Sequence, residues 1–440
     1  LLPETPFLGV AAARLAVTAG AILASAVASI GCSGPSASSS PDSPTFTRDI
    51  APIVFTRCAA CHRPGEAGPF PLLTYADVRQ RARQIAEVTS SRYMPPWKPE
   101  PGHGEFIGER RLTEAQIATI RRWVERGAPE GDLADLPAAP SFPQGWQLGT
   151  PDLVVSMPAP VEVPADGADR FRTVLVPVRI EAQKYVRAVE FRPGNPRAVH
   201  HAMLRIRTPQ SALRDPQAAS GAARPAVRVI DAEGMLGSEE DIISPDGHVL
   251  GWAPGYSPTV MPDGMAWRIE PGTDLAIELH LQTTGKPEQV QSTVGLFFTS
   301  EAPTRAPFGL QLGSYTLDIP PGARDYVVED RYELPVDVVL HAVYPHAHYL
   351  GKDLRAFAVT PDGREQSLIW IRDWDFNWQN AYRYRSPIQL PRGTIIRMRY
   401  TYDNSAANPR NPSSPPKRVR YGGQSSDEMA NLWMQVEPAN

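Results

Sequence analysis

The sequence predicts a multidomain chain: an all-α domain followed by two antiparallel β-sandwich domains. Three observations carry this expectation. Apolar residues recur at helical spacing up to about residue 135 and at strand spacing after about 150. The 47 prolines and 33 glycines among 440 residues call for many turns and short strands rather than long helices. An apolar content of 42% is enough to fill the cores of roughly two to four domains at this length.

In residues 45–135, Phe46, Ile50, Ile53 and Val54 mark a first helix. Thr74 starts a second, with Asp77 as its box partner and Val78, Ala82, Ile85 and Val88 as its buried stripe. Thr113 and Gln116 form a capping box for a third. Its apolar face is Ile117, Ile120 and Val124, and Gly127 with Pro129 stops it. Residues 136–150 read as a linker. Short β-branched or aromatic runs follow: Phe171–Val178, Val186–Phe191, Leu275–Leu281, Val294–Phe298 and Ile395–Tyr402. Strands this numerous favour antiparallel sandwiches over an α/β sheet. A break near Ser300-Glu301-Ala302-Pro303 divides them into 151–300 and 301–440.

A net charge of -4 with 21% charged residues and no basic block speaks against a nucleic-acid partner. Three cysteines supply no disulfide framework. The apolar run Leu15–Ile30, preceded by Arg14, reads as an export signal within residues 1–44. It ends in Ser29-Ile30-Gly31-Cys32, which resembles a lipoprotein cleavage site. Cys32 would then be lipidated, and Ser33–Pro44 would tether the protein to a membrane. The alternative is cleavage near Ala28 with Cys32 left free. Both place the chain in the periplasm or another extracytoplasmic compartment.

Arg57-Cys58-Ala59-Ala60-Cys61-His62 has the spacing of a c-type haem attachment signal. Cys58 and Cys61 would bind haem c covalently, with His62 as proximal iron ligand. Met94, the lone methionine of residues 45–135, is the candidate sixth ligand, and His103 is its rival. A thioether on iron raises the reduction potential. Three helices around one haem is the content of a small cytochrome c domain.

A second constellation lies downstream. His346 and His348 have strand spacing, which turns both toward one face. His200 and His201 are adjacent, so they can share a metal only at a bulge or strand end. His280, in an alternating strand, completes a three-histidine set. Imidazole-rich sets suit copper or zinc, and copper fits better beside a redox haem.

These residues carry a resemblance. Gly422-Gly423-Gln424-Ser425-Ser426-Asp427-Glu428-Met429, His346-Ala347-His348-Tyr349-Leu350-Gly351, Val199-His200-His201-Ala202-Met203-Leu204 and His280 occur in an order similar to that of the copper type II, ascorbate-dependent monooxygenase family. The resemblance implies two jelly-roll domains and two copper ions. It places His200, His201 and His280 on an electron-transfer copper, and His346, His348 and Met429 on a catalytic copper that binds O2. It also implies hydroxylation of an activated C–H bond in a small organic substrate. Electrons would arrive through the fused haem from an external one-electron donor, ascorbate or a redox protein. Tyr344 and Trp433 depart from the family pattern while Asn431 keeps it, so these three mark the candidate substrate pocket. A second reading is a non-catalytic haem and copper electron-transfer or copper-binding protein. Glu278 and Asp427 are candidates to orient ligand histidines, against plainer roles on a solvated face and as a turn cap. His341 reads first as a hydrogen-bonded core group, and Lys352 as a solvated one.

Overall fold

The computed structural model describes residues 43–439, apart from 144, 168, 208–227, 232–242, 245–247, 256–257 and 307. The predicted export signal, Cys32 and nearly all of the tether lie outside the described residues.

The helices form where caps and apolar spacing put them, but they are short. A π-turn over Phe46–Ile50 runs into the helix Ala51–Arg57. Thr74 caps Tyr75–Gln80 in a reciprocal box with Asp77. The predicted second helix breaks at Arg81 and resumes as Ala82–Ser90. Thr113 and Gln116 form the box that starts Glu114–Glu125. Phe46, Ile50, Val54, Val78, Ile120 and Trp123 fill a small core between them.

The named strands of the rest of the described chain all pair antiparallel and are joined by loops, a short 3-10 turn at Leu133–Asp135 and two isolated parallel bridges. The first large sheet joins Leu153–Ser156, Thr293–Thr299, Lys184–Arg192 and Trp267–Ile269, with Thr259–Val260 also on Lys184–Arg192. In the second, the order is Arg228–Asp231, Arg170–Pro177, Asp274–Leu281, Val199–Arg207 and His248–Trp252. The third runs Tyr382–Leu390, Val338–His346, Asn431–Pro438, Phe308–Gly313 and Ile243–Ser244. The fourth runs Tyr326–Glu333, Ile395–Tyr402, Gly351–Val359 and Glu365–Ile371. Two short ribbons complete the sheet content.

This arrangement corrects the predicted fold class. With four antiparallel sheets of five, five, five and four strands, the described body is a four-bladed β-propeller arrangement with a few short helices. It is not an all-α cytochrome c domain followed by two jelly-roll β-sandwiches. The helical segment also joins the sheet body: Phe106 bridges Tyr384 and is buried in the core of the third and fourth sheets. Pro44–Asn440 forms one contact unit. The physical reason is general. Alternation reports that a strand buries one face, but not which sheet that face meets.

Sheet faces meet across two main apolar cores. The first two sheets share one built on Val174, Val189, Leu204, Ile277 and Val294. The last two share another built on Leu340, Leu354, Ile369, Tyr400 and Leu432. Met203 of the second sheet meets Tyr344 and Trp433 of the third in a smaller cluster. The histidines collect beside that contact.

Candidate metal centre

His200 and His201 lie at the start of Val199–Arg207, and His280 near the end of the neighbouring strand Asp274–Leu281. His280 pairs with His201, but Leu281 pairs with Val199. His200 is therefore the extra residue of a β-bulge. A bulge re-aims a side chain that strict alternation would send to the opposite face. Here it brings adjacent histidines to one place.

Three ring nitrogens converge there. His201 Nδ1 lies 3.0 Å from His200 Nδ1 and 3.3 Å from His280 Nδ1. Ligand atoms about 2.0–2.1 Å from a tetrahedral metal are about 3.3 Å apart, so the spacing fits a single ion. All three histidines are buried. His280 Nε2–H donates to Asp169 Oδ2 at 2.9 Å, which leaves its Nδ1 with a lone pair facing the cluster. Asp169 is thus a carboxylate that orients a ligand imidazole. Phe171 stacks on His280 at 4.4 Å and holds the ring from one face. His200 Nε2 is buried with no hydrogen-bond partner among the described residues.

Electrostatics keep these rings neutral. Burial lowers the pKa of His200, while the Asp169 charge opposes the shift. It lowers those of His201 and His280 well below the ordinary value, and the neighbouring imidazoles add to the effect. Neutral imidazole is the form that binds metal. The described residues therefore contain one buried three-histidine cluster suited to a single metal ion.

His346 ends the strand Val338–His346, and His348 lies just beyond it. Their shared location therefore does not come from strand alternation through both. His346 Nδ1 donates to Gln379 Oε1, and His348 Nδ1 donates to the main-chain oxygen of Asp427 at 3.1 Å. Each ring keeps Nε2 as its lone-pair nitrogen. Burial holds His346 at about 4 and His348 at about 3. The His346 and His201 ring centres are 6.4 Å apart, so the two sets are neighbours.

Met429 is buried two residues before Asn431–Pro438. Its amide donates to Glu428 Oε1 at 2.8 Å, and its carbonyl accepts from Tyr402 Oη at 2.8 Å. Tyr344 lies opposite Trp433, and His346 opposite Asn431. The Tyr344 and Trp433 rings stack at 5.4 Å. They line a cavity of about 50 Å³ with His201, His280, His346 and His348. Asn431 Oδ1 is buried without a hydrogen-bond partner among the described residues.

Cys58, Cys61, His62 and Met94 line a separate cavity of about 320 Å³ with Phe70, Ile85 and Val88. His62 Nδ1 donates to the Phe70 carbonyl at 3.1 Å, which leaves Nε2 as the lone-pair nitrogen. Burial pushes the Cys58 thiol up to about 12. Gly255, at φ +81°, approaches so closely that a Cβ there would clash with Cys61 Sγ. His103 instead bonds Ser367 Oγ at 2.8 Å.

Several of the plainer sequence readings have visible partners. His341 bonds Glu437 at 3.0 Å and Lys352 bonds Asp325, whereas Glu278 departs from its solvated-face reading, being largely buried and paired with Arg205 at 3.2 Å. The Asp427 side chain accepts from the Gln424 amide at 3.2 Å. Sequence reasoning missed Asp169, Phe376, Gln379 and Glu428. Glu428 is the most buried acid among the described residues: it accepts backbone amides from His348, Leu350 and Met429. Burial nevertheless pushes it up to about 8, against the pull of those amides. Its place beside Met429 in the quoted motif was a usable signal. The other three come from loops or from residues just outside a strand.

No known family profile matches the sequence, and no curated protein matches it. Among solved structures, the major capsid protein P2 of bacteriophage PM2 is 8% identical with a TM-score of 0.24, covering 65% of this chain and 97% of that one. The VP2 subviral particle of infectious bursal disease virus is 9% identical with a TM-score of 0.17, covering 61% and 55%. PNGF-II is 11% identical with a TM-score of 0.20, covering 65% and 60%. Likenesses at this level carry no argument about fold or function.

These findings correct the family resemblance. The four-sheet propeller arrangement differs from the sandwich architecture that the copper type II monooxygenase family implies, and no family profile supports the assignment. The enzyme reading falls with it: the fold does not match that of a copper monooxygenase hydroxylating a substrate with electrons relayed by a fused cytochrome c. The propeller arrangement likewise gives no support to an electron-transfer role for the chain. The alternative electron-transfer protein is reduced to its supported part, a metal-binding cluster of histidines.

Proposed function

We propose that this protein binds a late first-row transition-metal ion, copper in preference, through His200, His201 and His280. The convergence of three buried imidazole nitrogens carries the reading. Imidazole sets suit copper and zinc, and copper stands above zinc in the general affinity order. Asp169 orients His280, Phe171 limits its rotation, and all three histidines are buried. Exposing the metal-free full chain to copper and then dialysing it should leave an ion that His201→Ala does not retain. Equal retention by the variant would remove the histidines from the site.

The finer cofactor assignments belong to the same proposal. A second copper would be held by His346, His348 and Met429. The lone-pair nitrogens that Gln379 and the Asp427 carbonyl leave on the two rings support it. One covalent haem c would be held by Cys58 and Cys61, with His62 and Met94 toward its iron. Support comes from the shared cavity and from the Phe70 bond that orients His62. Tyr344, Asn431 and Trp433 would border a site for a small organic molecule. Export to the periplasm, with a lipid tether at Cys32, completes the proposal and rests on the sequence alone.

A further inference from the structure

The connection between strands Glu365–Ile371 and Tyr382–Leu390 touches both the histidines and the cavity at Cys58. Trp378 lines that cavity, with its ring 6.0 Å from Tyr93. Two residues earlier, Phe376 stacks on His200 at 5.2 Å and 20°. The same ring lies 5.4 Å from His280 and 5.5 Å from His348. One residue after Trp378, Gln379 accepts from His346 Nδ1.

The segment is braced internally. The Trp378 amide donates to the Asp375 carbonyl at 2.9 Å. Gln379 Nε2 donates to the Phe376 carbonyl at 3.0 Å, and Asn377 donates to Asp375 Oδ1 at 3.0 Å. Lys98 and Arg410 hold Asp373 from outside, and Trp374 Nε1 donates to the His348 carbonyl at 3.0 Å. A turn tied this closely transmits a displacement of Trp378 to Phe376 and Gln379, because packed side chains shift between discrete arrangements.

We propose that residues 373–380 form a coupling strap between the cavity at Cys58 and the histidine centre. A flat aromatic ligand against Trp378 fixes the strap, and the fixed strap holds the imidazoles in their metal-binding orientation. Phe376 and Gln379 act as positioning residues, through the rings they touch. The coupling is favourable because both ligands select the same arrangement of the strap. The inference rests on the metal-binding reading above and adds its regulation.

The test uses the full chain, copper(II) and, as the flat probe, fluorescent tin(IV) protoporphyrin IX, whose filled ring cannot take up copper. Copper affinity is measured by chelator competition with and without the probe, and probe affinity by fluorescence with and without copper. Each ligand should tighten the other by the same factor, about 5- to 150-fold, the usual range of coupling between sites. Trp378→Ala should bring the factor near one, and the electron paramagnetic resonance parameters of bound copper should shift with the probe only in the native chain. The reciprocal measurement needs no variant, so a folding failure of Trp378→Ala leaves the test intact. A native factor within twofold of one, or a probe that does not bind, overturns the strap while copper binding stands. A native chain that retains no copper overturns the metal reading as well.

Discussion

Replacing Asp169 separates orientation of the metal ligand from ligation itself. Asp169 Oδ2 accepts from His280 Nε2 at 2.9 Å, and its side chain is 21% exposed. The carboxylate fixes which ring nitrogen faces the cluster and makes that nitrogen more basic. Losing such a partner typically costs about 10- to 100-fold in metal affinity, or about 1.4–2.7 kcal/mol. Asp169→Asn keeps an acceptor oxygen but loses the charge, and Phe171 still supports the ring. Its affinity should fall about tenfold, at the lower end of that range. Asp169→Ala loses both charge and acceptor and should approach about 100-fold. Competition against a chromophoric chelator reads both values, and denaturant unfolding of the metal-free proteins checks that the fold survives. Affinities within twofold of native for Asp169→Ala, in a folded protein, would refute the assignment of His280 Nδ1 as the ligand atom.

The other predictions concern the remaining groups of the site. His280→Ala should abolish retention of copper after dialysis while leaving circular dichroism unchanged; full retention would argue against the triad. Glu428→Ala strands three buried backbone amides, each worth about 1–3 kcal/mol when left unpaired, so its thermal midpoint should drop by several degrees. An unchanged midpoint would mean that Glu428 does not organise the turn at His348 and Met429. For pH, His346 and His348 titrate at about 4 and about 3 in the folded chain, below about 6.5 for an unfolded histidine. The unfolded chain therefore binds more protons as pH falls below about 6.5, and the metal-free fold loses stability from there down to about 3. Denaturant midpoints at pH 7 and pH 5 measure this, and equal midpoints with metal absent would contradict the buried neutral state.

Local features were legible in the sequence where one residue type performs one task. Thr74 with Asp77 and Thr113 with Gln116 form the boxes that their spacing announces. The strand at Ile395–Tyr402 has the bounds its alternation gives. The adjacency of His200 and His201 required a bulge for common use, and a register shift lies there. Sheet grouping was not legible, because a buried strand face such as that of Asp274–Leu281 looks the same opposite any partner. Arg81 shows a different limit: good helix formers surround it, yet the chain breaks there. The supports of the site were hidden for a third reason. Asp169, Phe376 and Gln379 reach the histidines from segments 111, 176 and 33 positions away from their respective partners His280, His200 and His346, and no local pattern encodes such distances. The family resemblance failed at the level of architecture because short histidine and methionine motifs report ligand chemistry, which different folds can present.

The most direct test is X-ray absorption at the copper edge of full-length protein carrying one copper per chain, compared with His201→Ala. The account predicts histidine nitrogen scatterers at about 2.0 Å, the usual metal–imidazole distance, with the imidazole count reduced or the copper lost in the variant. A native spectrum without histidine scattering, or one identical in the variant, would contradict a metal held by His200, His201 and His280.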